Sequence, residues 1–354
     1  MRGSIWPVPE SISSFNSGSN DAGAPVSISV IIVTWNSADV LVDCLKSLDE
    51  ESRHEPLEII VFDNASTDRT VELIRRDFPE VRLIESKDNV GFAKGNNEAL
   101  DHASGSYVMF LNPDTIVHPG CIQTLKSFMD ENPLTAIAGP KILQPDGRVQ
   151  VVCARQFPSL LMSIFELSLL RRIFPRSRLF GRYRMEYWDH ESGRKVPCIL
   201  GAAMLVRRDF LDKHGYMDER IPMYYEDVEL CKRAWCAGYD VQYLPEAEID
   251  HLVAQSAAVS KQRLALFVLE QGEAYWLYFS DFRGRGTALC FSAIMLVGSL
   301  FRILVLLPVL VLGFIMPEGV RQKAHVAHAK YMALLRWSVL SKDPEKVLKR
   351  FPLN

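Results

Sequence analysis

The sequence lacks any paired arrangement of cysteines. No CxxC motif occurs, and the number of cysteines is odd, 7 in 354 residues. Disulfide frameworks of secreted domains and cysteine-based zinc sites usually show an even number or a close pairing. We therefore expect free thiols, as in a protein of a reducing compartment such as the cytosol.

An excess of charge of one sign is missing too. The 40 Lys and Arg residues face 43 Asp and Glu residues, which gives a net charge of -3 and argues against a nucleic-acid partner. Neither GxGxxG after the first predicted strand nor GxxxxGK[ST] anywhere is present, so dinucleotide-binding and P-loop folds are poorly supported. The first residues do not place a charged segment before an apolar one, and we predict no secretory signal.

What is present is an alternation of short apolar runs and helical patterns after a polar leader. Residues 1–26 are rich in Ser, Gly, Pro and Asn, and we predict that they are poorly ordered. Continuous apolar runs rich in β-branched residues predict buried strands. Those strands are predicted at 27–34, 57–62, 81–84 and 107–111, with helices between them at 38–49, 69–78 and 91–103. This order predicts an α/β fold with βαβ units and a mostly parallel sheet.

The strand at 107–111 ends abruptly at Asn112, Pro113 and Asp114. Pro113 cannot donate to a sheet ladder, and ligands of open α/β sheets bind outside the carboxyl ends of the strands. Asp114 is therefore a candidate ligand for Mg²⁺ or Mn²⁺, because these cations prefer oxygen ligands. The alternative is an ordinary turn, since Asn, Pro and Asp all favour turns.

The middle of the chain is less regular. We predict a helix at 125–129, a short strand at 136–138 before Gly139 and Pro140, and a hairpin turn at Asp146 and Gly147. Residues 155–190 combine an apolar segment with a basic one. They are predicted either to contact a membrane surface or a phosphate-bearing substrate, or to form a solvated loop over a core helix.

Three later segments carry further candidate residues. The apolar run 196–207 predicts a strand pair or a strand followed by a turn and a helix, in which Gly201 would let a ligand approach the backbone. Glu226 and Asp227 open a predicted helix that ends at Gly238, and a closing strand at 241–244 precedes His251.

The C-terminal part of the chain has a different composition. Residues 287–316 contain a single charge, Arg302, and the run is long enough to cross a bilayer. A central Arg costs about 2.5–3.5 kcal/mol on insertion scales, and Pro308 follows it. These two residues favour a half-inserted helical hairpin or interfacial helices over a single clean span. Residues 318–350 are basic and amphipathic, which also favours a membrane surface.

Six segments occur in a fixed order: VSISVIIVTWNSADVLVDCLKSL, DNASTDRT, GFAKGNNEAL, LNPDT, LGAAMLVRR and YYEDVELCKRAWCAGY. Together they resemble family 2 glycosyltransferases, the inverting enzymes with a GT-A fold, over roughly residues 27–255. The Trp-Asn-Ser opening and the LNPD form are similar to the bacterial rhamnosyltransferase-like branch, which builds cell-surface polysaccharides from dTDP-rhamnose. The resemblance implies a Rossmann-like nucleotide-binding half, with a mostly parallel mixed sheet flanked by helices.

The resemblance implies donor-binding roles for several residues at strand ends. Thr34 and Asn36 would line the nucleoside pocket, and Asp63 would accept a hydrogen bond from N3–H of uracil or thymine, because a carboxylate only accepts. Asn96, like its neighbour Asn97, would lie near the diphosphate and sugar, with a helix-surface amide as the alternative.

The resemblance also implies a divalent cation, Mg²⁺ or Mn²⁺, on the donor diphosphate. Asp114 matches the last position of the DxD motif of the family, while Asn112 replaces its first aspartate and would instead contact the ribose or diphosphate. His251 matches the later histidine ligand of the family. Lys94 would either reach a phosphate or remain solvated.

Asp227 matches the catalytic base of the family, which deprotonates the acceptor hydroxyl. Its neighbour Glu226 would orient the acceptor or raise the basicity of Asp227 by charge repulsion. Gly201 and Glu226 are the predicted acceptor-binding residues.

These inferences combine into one hypothesis about function. An inverting glycosyltransferase would move L-rhamnose from dTDP-rhamnose onto a glycan or a polyprenyl-diphosphate-linked acceptor at the cytoplasmic face of the membrane. The predicted organisation is a leader at 1–26, the transferase domain at 27–255 and a membrane-associated helical region at 256–354 that is attached through 287–316. The alternatives are a UDP-hexose or UDP-N-acetylhexosamine donor, and a non-catalytic membrane scaffold of a glycan assembly complex.

Overall fold

A computed structural model describes residues 27–221, 224–252, 261–312 and 317–340. The predicted leader at 1–26 and the predicted boundary between 255 and 256 lie outside these residues. The chain divides into two compact units. The first comprises residues 1–155, 189–219 and 226–254, and the second comprises residues 156–188, 220–225 and 255–354. The predicted transferase domain is thus interrupted by two segments that group with the C-terminal helices.

The first unit is an α/β structure built on one large sheet. Its strands are β1 (Ile28–Thr34), β2 (Leu57–Asp63), β3 (Arg82–Glu85), β4 (Tyr107–Leu111), β5 (Thr115–Val117), β6 (Thr135–Leu143), β7 (Ala154–Arg155), β8 (Arg194–Lys195), β9 (Cys198–Ile199), β10 (Ala203–Arg207) and β11 (Asp240–His251). Its helices are α1 (Ala38–Ser52), α2 (Thr70–Asp77), α3 (Phe92–Leu100), α4 (Cys121–Glu131), α7 (Arg208–His214) and α8 (Glu226–Cys236). The four strands and three helices predicted before residue 112 are confirmed, with small changes at their ends.

The order of strands in the large sheet is β3-β2-β1-β4-β10-β6-β11-β5, and β8 pairs with β11. Strands β3, β2, β1 and β4 are mutually parallel. Strand β10 runs antiparallel to both of its neighbours, and β11 is parallel to β6 but antiparallel to β5 and β8. The prediction of a mixed sheet is confirmed, although its parallel character is confined to the first four strands and the β6–β11 pair.

Burial follows the sequence pattern in the parallel half. Every residue of β1 and of β4 is buried, which is expected when helices cover both faces of a sheet. Because β1, β2 and β4 are parallel, their carboxyl ends lie along one edge, where Thr34 and Asp63 are paired residues of neighbouring strands.

The short strand predicted at 136–138 is wrong in extent, because β6 continues through Gly139 and Pro140 to Leu143. The pairing of β6 with β10 stops at Ala138, while its pairing with β11 continues. Pro140 therefore lies where only one side of the strand is occupied, and a missing N–H is tolerated there. The predicted hairpin at Asp146 and Gly147 is reduced to a turn closed by one bridge, between Leu143 and Val149.

The second unit consists of helices α5 (Leu160–Leu167), α6 (Leu170–Ile173), α9 (Lys261–Arg283), α10 (Arg285–Val311) and α11 (Glu318–Leu340). Leu167, Val268, Tyr331 and Leu334 form a buried cluster at its centre. Residues 155–190, which we predicted to be irregular, contain α5 and α6 because Leu160–Leu167 is apolar enough to pack and Ser159 caps its start.

Among the described helices, α10 alone is long and apolar enough to cross a membrane, and only 11% of its most apolar stretch is buried. It is one continuous helix that includes Pro308, so the predicted hairpin does not form within Arg285–Val311; residues 313–316 lie outside the described part. Arg302 is buried, and its guanidinium donates to the backbone oxygens of Leu167 (2.6 Å) and Glu166 (2.8 Å).

Candidate active site

The sheet topology collects the predicted site residues of the first unit at one edge. Thr34 and Asp63 end β1 and β2, and Asn112 follows β4. The backbone N–H of Asn112 donates to the oxygen of Ala202 (2.9 Å), which places Gly201 beside the end of β4. The backbone N–H of Gly201 in turn donates to Asp227 Oδ2 (2.8 Å). One edge of the sheet therefore joins candidates that are separated by up to 193 residues of chain, from Thr34 to Asp227.

Asp63 and Thr34 carry buried polar atoms without a hydrogen-bond partner among the described residues. The carboxylate of Asp63 is buried, and its Oδ2 accepts from the backbone N–H of Ser66 (3.0 Å). Its Oδ1 and the hydroxyl oxygen of Thr34 are buried and form no hydrogen bond with any residue that the structure describes. Because a buried unsatisfied acceptor costs about 1–3 kcal/mol, this pair is suited to receive a donor from a ligand.

The amide of Asn36 shapes the loop after β2. Asn36 adopts a left-handed backbone conformation with φ of 50°. Its Oδ1 accepts from the backbone N–H groups of Thr67 (2.7 Å) and Asp68 (3.3 Å), and its own N–H donates to Ser66 Oγ (2.8 Å). Asn36 thus orders the loop that carries the partner of Asp63, and its direct contact with a nucleoside stays a prediction.

The amides on α3 also have protein partners. Asn96 is buried and donates from Nδ2 to the oxygen of Phe92 (2.9 Å). Asn97 binds the oxygen and the N–H of Met217 at 2.9 and 3.0 Å. Lys94 lies 3.7 Å from Glu98 on the exposed face of the helix. Contacts of these three side chains with the diphosphate or sugar stay a prediction.

Asp114 and His251, the two predicted metal ligands, lie side by side. Pairing of β11 with β5 places His251 opposite Thr115, and the imidazole Nε2 lies 3.2 Å from Asp114 Oδ1. The other ring nitrogen, Nδ1, lies 2.9 Å from Gln150 Oε1. Because that oxygen only accepts, Nδ1 carries the proton, and the lone pair of a neutral ring points from Nε2 towards the carboxylate.

A lone pair that faces a carboxylate oxygen requires a proton or a cation between them. A carboxylate and an imidazole whose second nitrogen is hydrogen-bonded form a ligand pair typical of divalent cations. In the described residues, no group of three or more His, Cys, Asp or Glu side chains is arranged to hold a metal ion. The described part of the chain thus brings two candidate ligands together, Asp114 and His251.

The carboxylate of Asp227 is buried at the start of α8 and is fully hydrogen-bonded. Arg155 Nη2 donates to its Oδ1 (2.6 Å) and to its Oδ2 (2.7 Å). The backbone N–H of Val228 binds Oδ1 (2.7 Å) and that of Gly201 binds Oδ2 (2.8 Å). A Cβ atom at Gly201 would lie 3.2 Å from the Cβ of Asp227, so only glycine leaves this approach unstrained.

Glu226 precedes Asp227 and is a neutral acid in this environment. Burial and then the negative charge of Asp227 raise the pKa of Glu226 to about 8. Its Oε2 is buried and has no hydrogen-bond partner within the described ranges. The raised pKa favours the protonated form of Glu226, and its two predicted roles, at the acceptor and beside Asp227, stay predictions.

Arg155 and Gln150 contact predicted site residues but were not themselves predicted from the sequence. Both lie in the stretch that we interpreted as a turn and an irregular segment. Arg155 ends the apolar run VVCAR and is itself buried, and a charged residue at the end of a buried run was the available signal. Gln150 offers no comparable signal, because its contact with His251 spans 101 residues.

Comparison with known proteins agrees with this geometry. The family model described as Glycosyl transferase family 2 matches residues 29–215. An N-acetylglucosaminyl-diphospho-decaprenol L-rhamnosyltransferase of Mycobacterium tuberculosis is 30% identical over 77% of this chain and 94% of its own length. A poly-beta-1,6-N-acetyl-D-glucosamine synthase of Staphylococcus aureus is 26% identical over 67% of this chain and 53% of its own.

Solved structures support the fold. A mannosyltransferase of Pyrobaculum calidifontis in complex with GDP-Man and Mn²⁺ superimposes with a TM-score of 0.51 at 17% identity, over 90% of this chain and 88% of its own. GalNAc-T7 with UDP, GalNAc and Mn²⁺ gives a TM-score of 0.53 at 13% identity, over 94% of this chain and 59% of its own. The fold is thus GT-A, and the alternative of a non-catalytic scaffold is set aside. The chain belongs to glycosyltransferase family 2 and is a glycosyltransferase.

Proposed function

We propose that this glycosyltransferase moves L-rhamnose from dTDP-rhamnose, with inversion, onto a glycan or a polyprenyl-diphosphate-linked acceptor in cell-surface polysaccharide synthesis. The observation that carries the proposal is the single sheet edge that holds Asp63, the Asp114–His251 pair and Asp227. The choice of sugar and acceptor is supported by the similarity to the mycobacterial rhamnosyltransferase, which extends over 94% of that protein.

At the nucleoside end, Asp63 Oδ1 would accept from N3–H of the thymine ring, with the hydroxyl of Thr34 beside it. Both atoms are buried without partners in the described part of the chain. A donor from the base would remove the cost of leaving an acceptor unsatisfied. The ring N–H of thymine and of uracil matches this acceptor, so the arrangement suits dTDP or UDP donors.

At the diphosphate, Asp114 and His251 would hold Mg²⁺ or Mn²⁺, and Asn112 would contact the ribose or diphosphate. When bound, the cation neutralises the charge that develops on the leaving group. Since the described residues bring two ligands together here, we infer that phosphate oxygens would supply further ligands, which would make tight metal binding dependent on the donor.

At the acceptor, the hydroxyl oxygen attacks C1 of the sugar while the bond from C1 to the diphosphate oxygen breaks, and the nucleoside diphosphate leaves with the bonding electrons. The hydroxyl proton passes to Asp227 as general base. Each Asp227 oxygen already accepts two hydrogen bonds, so one of these donors must move away before the carboxylate takes a proton. Arg155 is the only side-chain donor among them, and we infer that the acceptor displaces it. Neutral Glu226 keeps a proton that it can donate to an acceptor oxygen.

In this proposal, the protein is attached to the membrane through its second unit. Helix α10 exposes a long apolar surface, which supports a location at the cytoplasmic face of a membrane, where a lipid-linked acceptor would be presented. Arg302 faces the interior of the unit, so its charge does not oppose contact of the outer face with lipid.

A donor panel tests the proposal. Purified protein is incubated with Mn²⁺ and dTDP-rhamnose, UDP-N-acetylglucosamine or UDP-glucose, and released nucleotide is measured with and without a polyprenyl-diphospho-sugar acceptor. We expect turnover with dTDP-rhamnose alone and its loss with EDTA. Turnover of a UDP-sugar in place of dTDP-rhamnose would establish the alternative donor and contradict the rhamnosyl proposal.

A further inference from the structure

The second unit contains a basic cavity of about 400 Å³ between α6 and α11. Its volume lies in the range of roughly 300–1,000 Å³ that is usual for ligand sites. Arg172, Lys323 and Lys330 contribute three positive charges to its lining, and no lining residue is acidic. Val326 and Tyr331 provide an apolar wall. The cavity thus combines cations with an apolar surface.

The three cations have no counter-ion in the described part of the chain. No ion pair joins Arg172, Lys323 or Lys330 to a carboxylate there. Glu166, an acidic residue of the same unit, contacts Arg171 (2.5 Å) and Arg184 (3.7 Å) instead. Burial, followed by the charges of Arg172 and Arg302, lowers the pKa of Lys330. Like charges held together without an anion favour the binding of one.

The surroundings of the cavity distinguish a lipid from a free anion. Ile173 and Phe174 directly follow Arg172 and are 63% and 51% exposed. Val320, 43% exposed, lies one helical turn before Lys323 on α11. Basic side chains next to exposed apolar ones are typical of segments that rest in a membrane interface, where the apolar groups enter the acyl boundary and the cations contact phosphates.

We propose that this cavity binds the phosphate group of a membrane lipid through Arg172, Lys323 and Lys330, while Ile173, Phe174 and Val320 insert into the interface. The proposal concerns membrane binding and does not depend on the identity of the sugar donor. The phosphate is carried either by an anionic phospholipid or by a polyprenyl phosphate, and the experiment separates these two sources.

The test is vesicle flotation with the full-length chain at low ionic strength. Vesicles consist of phosphatidylcholine alone, phosphatidylcholine with 20% phosphatidylglycerol, or phosphatidylcholine with a few per cent of polyprenyl phosphate. Each cation near an anionic surface contributes about fivefold to binding. Wild type should prefer one of the two anionic vesicle types. We therefore expect the variant Lys323→Gln/Lys330→Met to bind to that type roughly 25-fold more weakly than wild type. The pair Lys46→Gln/Lys87→Gln removes the same charge from exposed positions of the first unit and should change binding less than twofold.

Preference for phosphatidylglycerol vesicles would identify the phospholipid, and preference for polyprenyl phosphate the carrier lipid. If the two double variants lost vesicle binding equally, the loss would be an effect of net charge alone, and the proposal would be overturned. Unchanged binding of Lys323→Gln/Lys330→Met would overturn it as well. Circular dichroism monitors folding. If the double variant unfolds, Arg172→Gln, at an exposed position on the short helix α6, carries the same comparison with an expected fivefold loss.

Discussion

At the residue scale, the contact between Arg155 and Asp227 determines how the proposed base is held. The two side chains are about 9% and 3% exposed, and burial of an ion pair is favourable only when its geometry is good. Here, two backbone N–H groups supplement the guanidinium, so the carboxylate is fixed in orientation before the acceptor arrives. Such preorganisation favours the transition state, since the base need not be reoriented.

Arg155→Met should destabilise the fold by about 3–5 kcal/mol, because it leaves a buried carboxylate without its cation. A loss of this size lowers the melting temperature by roughly 10 °C. Differential scanning fluorimetry measures it. The double variant Arg155→Met/Asp227→Asn removes both charges and should recover most of the loss, whereas an additive result would show that the two side chains do not form a coupled pair.

Asp114→Ala should remove the part of nucleotide affinity that depends on Mn²⁺, at least about 100-fold, since loss of even a supporting group costs 10–100-fold in metal affinity. Isothermal titration of dTDP with and without Mn²⁺ gives both numbers. The metal-free affinity should not change, because Asp63 lies on another strand. Asp146→Ala, in an exposed turn, is the matched control. Equal Mn²⁺ dependence in Asp114→Ala and wild type would contradict the ligand assignment.

At the element scale, the sequence predicts the elements whose burial leaves a local pattern. It does not predict those that depend on strand pairing between distant parts of the chain. The buried runs of β1, β2 and β4 and the polar residues that end them are visible in the sequence because burial on both faces leaves a continuous apolar pattern. The full length of β11 is not visible, because its second half is stabilised by pairing with β5 and β6 across more than 100 residues. Arg155 is likewise placed by the two-residue pairing of β7 with β9, which has no periodicity to detect.

Helix α10 shows that the partners of a buried charge are also not visible in the sequence. The sequence places Arg302 in an apolar run, and we counted its charge as a cost to insertion. The structure turns it inward, where the carbonyl groups that end α5 accept its N–H groups and the ring of Tyr331 lies 5.4 Å from its guanidinium carbon. The outer face of α10 is therefore more apolar than the composition suggests.

Arg302→Met should destabilise the second unit, because it leaves two buried carbonyl oxygens without donors. Hydrogen bonds to a charged group contribute about 1.5–3 kcal/mol each, and we expect a fall in melting temperature of roughly 5–10 °C in detergent. Leu304→Ala, on the exposed face of the same helix, should change it by less than 2 °C, taken as about 0.5 kcal/mol for a surface substitution. A more stable Arg302→Met would show that the helix is better satisfied without the charge.

At the scale of the whole molecule, the chain consists of two compact units with different features. The first holds the edge at which donor, cation and base residues meet, and it was largely predictable because its strand ends follow one another in order along the chain. The second is assembled from three separated segments of sequence, which no local pattern joins. We propose that its apolar helix and basic cavity contact the membrane, whereas the residues proposed for the transfer reaction lie in the first unit.

The central claim is that this edge is an active site in which Asp227 is the base. The most direct test is sugar transfer by Asp227→Asn, measured together with its affinity for dTDP. General-base catalysis contributes about 10²–10⁴-fold, so transfer per folded molecule should fall by at least about 100-fold while the dissociation constant for dTDP stays within twofold. The melting temperature should fall as well, because Arg155 loses its buried carboxylate partner. Transfer within tenfold of wild type, with nucleotide binding intact, would contradict the account.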